Sequence, residues 1–502
     1  MTLSILIWLP AAAALIAAVV PGRLTKFIAC LGSFAALGIA IYFLVKFKLH
    51  HAGLQFITDR VWISALGIHY KLGLDGLNIA LIVLTTVLFS ASMVWSAFRE
   101  WDRPGTYYLF LGLAESGVLG AFCAQDLALF VAFFDLMLIP FYFLIGMWGT
   151  GPDRIRATTK LVVYTLVGSF FMLAAAIATG VLASSDHHTN ITFVLSALRG
   201  LPLSHANQEW IFACFAVAFL VKMPLVPFHG WLADGYKAMP IPALAVFSAI
   251  LSKVAAYGFL RIVLPLFPYA SVHFQTLMLL ICLGSILYAT SIAFTTPDAR
   301  LVVAYSSVAQ LGFITLGIFS LRPEGGQGAL LQMVNHGLVT APAFFIVAAL
   351  AVRSGGSEQL RDMGGLAFRA PVLAALFLIV ALATLAMPGS SNFAGEFLIL
   401  LGVFRAKVVI AVVAFTGVVM ASVYMLRMFI GAVHGRTGPR VESRELAPAD
   451  GLLLVPLVAA IVAFAVFPQV ELSRAERAVR ASVSATAPVT AITLVDGRRV
   501  AR

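Results

Sequence analysis

Apolar runs of eighteen or more residues recur from one end of this 502-residue chain to the other. Each is long enough to cross a hydrocarbon layer of roughly 30 Å as a helix. In lipid every backbone N–H and C=O must be satisfied within the protein, which leaves helices and closed barrels as spanning forms. The runs are continuous rather than alternating, so they read as helices. With 61% of residues apolar and 11% charged, against about half and a quarter in soluble domains, a soluble enzyme, a secreted disulfide scaffold and a disordered protein are excluded. At about 20 residues per crossing there is room for roughly 12 to 15 spans.

The net charge is +11, yet no run of five Lys or Arg occurs. The excess is therefore assigned to lipid contact and orientation, with no nucleic acid as partner. Cys30, Cys123, Cys214 and Cys282 are far apart, without a CxxC pair, and read as small buried apolar residues. The first run, Leu3 to Val20, lacks a basic leader and reads as a first span rather than a signal peptide.

The expected fold is an all-α polytopic membrane protein of about fourteen helices. They are placed near 3–20, 27–46, 77–98, 106–123, 125–146, 158–183, 209–235, 241–263, 273–294, 300–320, 328–353, 371–404, 406–434 and 451–470. Residues 1–105 hold the first three helices, 106–263 and 273–434 form two repeats, and 435–502 hold the last helix and a tail. Loops after odd-numbered helices are the richer in Lys and Arg, such as Arg154, Arg156, Lys237 and Arg300. They should face the cytoplasm, with both termini outside; Arg474, Arg477 and Arg480, at helical spacing in the tail, argue the other way. Residues 61–74 alternate about Gly67 and read as a surface β-hairpin. No Gly-rich phosphate loop, metal cluster or nucleophile triad stands out.

Ionisable side chains in mid-span cost on the order of 2.5–3.5 kcal/mol and by default suggest function. Asp135, Lys222, Lys253, Glu396, His336 and Glu115 all lie inside apolar helices. Plain readings exist for each. Asp135 suits a structural ion pair, Lys222 suits snorkelling although it sits about 13 residues into its helix, Lys253 is nearly central, and Glu396 suits capping of a half-helix. His336 suits a neutral core histidine, and Glu115 a place near a helix end. Asp126 and Asp298, at helix starts, read as N-caps.

The breaks favour the functional reading. Pro224 and Pro227 remove amide donors just after Lys222, and Pro388, Gly389 and Gly395 interrupt the chain before Glu396. Irregular backbone at membrane depth is tolerated only beside protein or water. A charged, interrupted helix in each of two halves is the mark of inverted repeats, here helices 4–8 and 9–13 with helices 7 and 12 broken. A lysine out of water holds its proton less tightly, and a nearby carboxylate restores the hold. Moving the partner then switches the lysine, and two neighbouring lysines titrate as a coupled pair.

The segments KMPLVPFHGWLADGY, ALAVFSAILSKVAAYGFLRI, DARLVVAYSSVAQLGF, LRDMGGL and MPGSSNFAGEFLIL resemble the antiporter-like subunits of respiratory complex I. LGLDGLNIALIVL and FFDLMLIPFYFLIGMWG agree. The resemblance runs from about residue 60 to 470 and is greatest to the subunit M (chain 4) branch, because Glu396 stands where sibling branches carry lysine. It implies a proton path through Asp135, Lys222, Lys253, His336 and Glu396, with Glu115, His229 and Gln310 as accessories. Two positions depart from the family pattern. Asp135 replaces a usual Glu and reaches about 1.5 Å less far, one C–C bond. Gln310 replaces a usual His and can orient water but cannot carry a proton.

The resemblance thus implies a proton-translocating subunit of NADH:quinone oxidoreductase in the bacterial inner membrane. It would be part of an enzyme, driven by redox chemistry in other subunits, and would bind no cofactor or metal of its own. Its partners would be neighbouring membrane subunits, lipid, water and protons. The rivals are a subunit of a multisubunit cation/proton antiporter or of a membrane-bound hydrogenase. More distant ones are a haem-bearing redox protein, which needs facing histidine pairs, and a structural scaffold, which leaves the buried charges unexplained.

Overall fold

The computed structural model describes residues 2–49, 51, 53–442, 444–487 and 489; the end of the predicted tail lies outside them. Among the described residues, eleven helices are long and apolar enough to cross a membrane. They are not equally wrapped by protein. The window of Ile241–Leu266 is buried along its whole length, and those of Ala299–Phe319 and Pro323–Arg353 nearly so. Arg154–Asp186, Val408–Val433 and Pro448–Val466 leave most of theirs on the outside, studded with exposed Val, Phe and Leu. The core therefore runs along the inner helices, and the outer ring presents an apolar surface suited to lipid.

The expected breaks are present, with sharper edges. The seventh predicted helix does not run through 209–235. It spans His205–Lys222, stops, and resumes as Leu232–Ala238, so Lys222 is its last residue rather than a mid-helix one. Pro224 has no amide to offer Leu220, and Pro227 none to offer Met223. Trp231 Nε1 donates to the Val221 carbonyl at 3.1 Å and satisfies part of the broken end. The twelfth predicted helix divides into Pro371–Thr384 and Ser391–Ala406 around Met387–Pro388–Gly389, where Gly389 takes φ +91°.

Two interruptions were not expected. The fifth helix is split into Leu127–Leu136 and Ile139–Trp148; Pro140 cannot donate to the Leu136 carbonyl, and the turn opens just after Asp135. The eighth contains two π turns, Phe247–Leu251 and Phe259–Val263, on either side of Lys253. Of the four cysteines only Cys123 and Cys282 are buried; Cys30 and Cys214 are half-buried, and all four are free.

Small residues set the closest approach in the second half. A Cβ on Gly328 would meet the Ile399 amide nitrogen at 2.6 Å, and one on Gly395 would collide with Gln332. Without those side chains Pro323–Arg353 lies directly against Ser391–Ala406.

The hairpin pairs Gln55–Ile63 with Ile68–Leu74, antiparallel, in a register that sets Val61 opposite His69 and Ile63 opposite Ile68. Gly67 closes the turn at φ +61°. Its first strand begins six residues before the alternation had suggested. Asp126 and Asp298 are N-caps, accepting from Leu129 N and Leu301 N at 3.1 Å each. Each also anchors a short antiparallel bridge: Leu127 N donates to Phe193 O at 2.7 Å, and Ala299 N to Glu358 O at 2.9 Å. The three tail arginines lie on a helix, Gln469–Ser484, whose backbone at Arg474 packs on Gly76. That stretch of the helix thus lies beside the end of the hairpin's second strand.

Candidate functional site

Asp135 is in the last turn before the Met137–Leu138 interruption, and its Oδ1 accepts a hydrogen bond from Ser169 on Arg154–Asp186. One turn back on that helix, Thr165 shares a 2.6 Å hydrogen bond with Tyr142. Lys222 is buried, with Nζ 4.9 Å from the centre of the Phe134 ring. Nζ has no hydrogen-bond partner among the described residues, and no ion pair joins it to Asp135. The carboxylate nonetheless lies within electrostatic reach of the ammonium. The shorter acid thus stands beside its expected lysine without touching it.

Lys253 is fully buried between the two π turns, and its Nζ donates to the Ser248 carbonyl at 2.9 Å, within the first of them. A π turn widens the helix and leaves backbone groups open to side chains, which is common at functional sites. Ser248 Oγ donates onward to Ser307 Oγ at 3.4 Å. His336 is within electrostatic reach of Lys253. Its Nε2 pairs with Thr340 Oγ1 at 2.9 Å, while Nδ1 is buried without a partner among the described residues.

Glu396, in the second turn of Ser391–Ala406, is buried. Gln310 Nε2 donates to its Oε1 at 2.6 Å, and Gln332 Nε2 donates to Gln310 Oε1 at 2.8 Å. Gln332, Asn335 and His336 share one face of Pro323–Arg353, and Asn335 donates to the Ser391 carbonyl at 2.7 Å. Ser307 and Gln310 lie one turn apart on Ala299–Phe319. Side chains on four helices therefore form a polar seam from Lys253 to Glu396, walled by apolar residues. Asp135 and Lys222 lie on the neighbouring elements, and Phe219, one turn before Lys222, rings against Phe259 of the Lys253 helix.

Two of the three accessories, Glu115 and His229, lie outside this seam. Glu115 is buried among Arg23–Lys46, Ile79–Ala97 and Pro104–Cys123, bonded by Ser33 at 3.1 Å, with Ser90 3.1 Å from the same hydroxyl. His229 follows the break, half-buried, its ring 4.7 Å from that of Tyr288. Gln310 is a full member. Sequence reasoning missed Ser169, Tyr142, Ser248 and Gln332. Gln332 was legible, a polar residue one turn from His336 in an apolar helix; Ser248, masked by a π turn, was not. Among the described residues no group of three His, Cys, Asp or Glu is placed to hold a metal.

Buried acids, lysines, a histidine and amides, inside a bundle with interrupted helices, suit proton exchange rather than covalent chemistry. That combination defines the antiporter-like class of polytopic membrane proteins. The family model described as NADH:quinone oxidoreductase/Mrp antiporter, TM, matches residues 124–421. The NADH-quinone oxidoreductase subunit M of Rickettsia prowazekii (strain Madrid E) is 35% identical over 448 residues, 89% of this chain and 90% of the relative. That of Escherichia coli (strain K12) is 38% identical over 424 residues, 82% of each chain. A chain of the respiratory complex I structure from Thermus thermophilus with bound NADH superposes with a TM-score of 0.87 at 30% identity, covering 97% of this chain and 100% of that one. The chain belongs to the NADH-quinone oxidoreductase subunit M family.

Proposed function

We propose that this chain is the proton-translocating, multi-pass inner-membrane subunit M of an NADH:quinone oxidoreductase, working beside other membrane subunits that supply the redox drive. Its family membership carries the assignment. The polar seam from Lys253 through Gln310 to Glu396, with the Asp135–Lys222 neighbourhood beside it, supports the mechanism. Asp135 and Lys222 act as the coupling pair, Lys253 and His336 relay the proton, and Glu396 releases it. Ser169 holds the Asp135 carboxylate, and Gln310 carries orientation rather than charge. The chain needs no cofactor of its own for these steps.

Counting each interrupted pair as one crossing, the eleven long helices, Leu3–Val19, and the broken helices around Lys222 and Glu396 make fourteen. An even count fits a C-terminal helix on the hairpin's side. The bridges at Asp126 and Asp298 suit equivalent corners of two inverted repeats, helices 4–8 and 9–13.

The test is proton pumping in proteoliposomes of the assembled complex, driven by NADH and quinone. Lys222→Ala and Glu396→Ala should each abolish acidification while the chain still inserts. Normal pumping coupled to electron transfer in both variants would remove the proposed path.

A further inference from the structure

Gln310 interrupts the seam, because its amide bonds Glu396 and Gln332 but cannot carry a proton. A second row of polar groups lies beside it, between Pro323–Arg353 and Ser391–Ala406. These helices run antiparallel: Asn335 Nδ2 donates to the Ser391 carbonyl at 2.7 Å, a Cβ on Gly395 would collide with Gln332, and one on Gly328 would meet Ile399. His336 is therefore level with the start of Ser391–Ala406, and Gln332 with its second turn. Asn392 and Glu396 lie one turn apart on a shared face. Gln332, Asn335, Ser391 and Asn392 are fully buried, and His336 nearly so.

Much of this row bonds nothing in the protein. Gln332 Oε1, Asn335 Oδ1, His336 Nδ1, Ser391 Oγ and both Oδ1 and Nδ2 of Asn392 have no hydrogen-bond partner among the described residues. Buried polar groups in native proteins are nearly always bonded, so a cluster of orphans calls for an occupant. An amide buried without a bond lowers stability, and an apolar residue of the same shape as Asn392 would pack at less cost. The start of Ser391–Ala406 presents the positive end of a helix dipole, which disfavours a bare cation there. Water donates and accepts at once, suits an amide, a hydroxyl and an imidazole alike, and when buried makes about three hydrogen bonds to such groups.

We propose that ordered water held by Asn392, Asn335 and Ser391 carries the proton from His336 to Glu396 around Gln310, with Asn392 as the main positioning residue. This rests on the proton path proposed above and supplies the step that Gln310 interrupts. The proton on Nδ1 of a His336 imidazolium bonds to the first water, each water passes on one of its own protons, and the Glu396 carboxylate takes the last. The imidazolium ends neutral, the carboxylate ends as the acid, and no electron is transferred.

The experiment uses the assembled complex in proteoliposomes, driven by NADH and quinone. Asn392→Leu removes no hydrogen bond to protein, so the complex should keep or raise its thermal midpoint while the pumping rate falls about ten-fold. Asn392→Ser, small and polar, should pump like wild type. In a Gln310→His background an imidazole passes the proton directly, and the Asn392→Leu loss should shrink below about two-fold. If Asn392→Leu does not assemble, Ser391→Ala takes its place, since it too leaves the protein's bonds intact and should show the same loss and rescue. Wild-type pumping by the assembled variant, or an equal loss in both backgrounds, would overturn the detour. Glu396→Ala separates the two readings. Silence in Glu396→Ala beside normal pumping in Asn392→Leu condemns the detour alone, whereas normal pumping in Glu396→Ala removes the path on which it rests.

Discussion

Gln310 stands between Glu396 and Gln332, donating to the carboxylate at 2.6 Å and accepting from the second amide at 2.8 Å. The Glu396 bond fixes which end of the Gln310 amide points toward the acid, because a carboxylate oxygen needs a donor and Gln332 offers one to the other end. Gln310→Leu keeps the bulk and removes both bonds. It leaves a buried acceptor and a buried donor unsatisfied, at about 1–3 kcal/mol each. The expected result is a lower thermal midpoint of the complex and a proton-pumping rate reduced at least ten-fold, about 1.4 kcal/mol on the barrier. Gln310→His restores a donor and should recover most of the rate. Fluorescence-quench assays on proteoliposomes check this, and wild-type pumping by the leucine variant would show that the bond plays no part.

The Asp135–Ser169 bond raises a separable question, since the shorter acid is held by a hydroxyl rather than by Lys222. A hydrogen bond to a charged group contributes about 1.5–3 kcal/mol, so Ser169→Ala should slow pumping roughly ten-fold, with Ser169→Thr close to wild type. Asp135→Glu extends the acid by about 1.5 Å and carries it closer to Lys222. The Ser169→Ala penalty should therefore shrink in the Asp135→Glu background. A double-mutant cycle of pumping rates measures the coupling; strict additivity would separate Ser169 from the acid's task.

These contacts mark where the sequence was readable. Apolar runs placed the crossings because hydrophobic length is a property of one segment at a time. The prolines after Lys222 and before Glu396 announced the breaks because a missing amide is a local fact. Pro140 was equally local, yet its run looked continuous and the break was overlooked. The buried charges named themselves by being costly where they stand. Their partners did not, because Gln310 meets Glu396 across 86 positions of chain, and neither the Gly328–Gly395 approach nor the π turns around Lys253 leaves a period in the sequence. Glu115 shows the converse: a charge conspicuous in its run, bonded by Ser33 away from the seam.

Asp75 and Arg261 form a nearly enclosed ion pair, their side chains 13% and 4% exposed, and Arg261 Nε also donates to Tyr257 Oη at 2.8 Å. Tyr257 in turn donates to the Phe122 carbonyl at 3.0 Å, so the pair ties the start of the third span to the eighth and fourth. Removing one partner of such a pair strands a buried charge and costs about 3–5 kcal/mol, whereas an apolar replacement of both is often tolerated. Asp75→Ala should therefore reduce the amount of assembled complex in membranes. Asp75→Ala combined with Arg261→Met should recover it, measured by quantitative blotting and thermal unfolding. Equal loss in the single and double variants would shift the cause to the loop itself.

The hairpin carries a pH dependence of its own through Asp59, which meets His69 Nδ1 at 2.8 Å and Lys71 Nζ at 3.0 Å. Partial burial raises its pKa, but the bonds and charges of His69 and Lys71 outweigh that, and the carboxyl sits below the usual carboxylate value. A depressed pKa means that the folded hairpin binds the proton less well than the unfolded strand does. The stabilisation is thus complete above the unfolded value, near 3.9 for Asp, and is lost as pH falls through the lower folded value. Its size is modest because the acid is about a third exposed and solvent screens it. Hydrogen exchange at Arg60–Ile63 and His69–Lys71 should speed up, beyond its intrinsic pH dependence, on acidification below about pH 4. Asp59→Asn should exchange faster at neutral pH and lose the acid-dependent step, because an amide has no proton to take up; persistence of the step in that variant would assign it to another group.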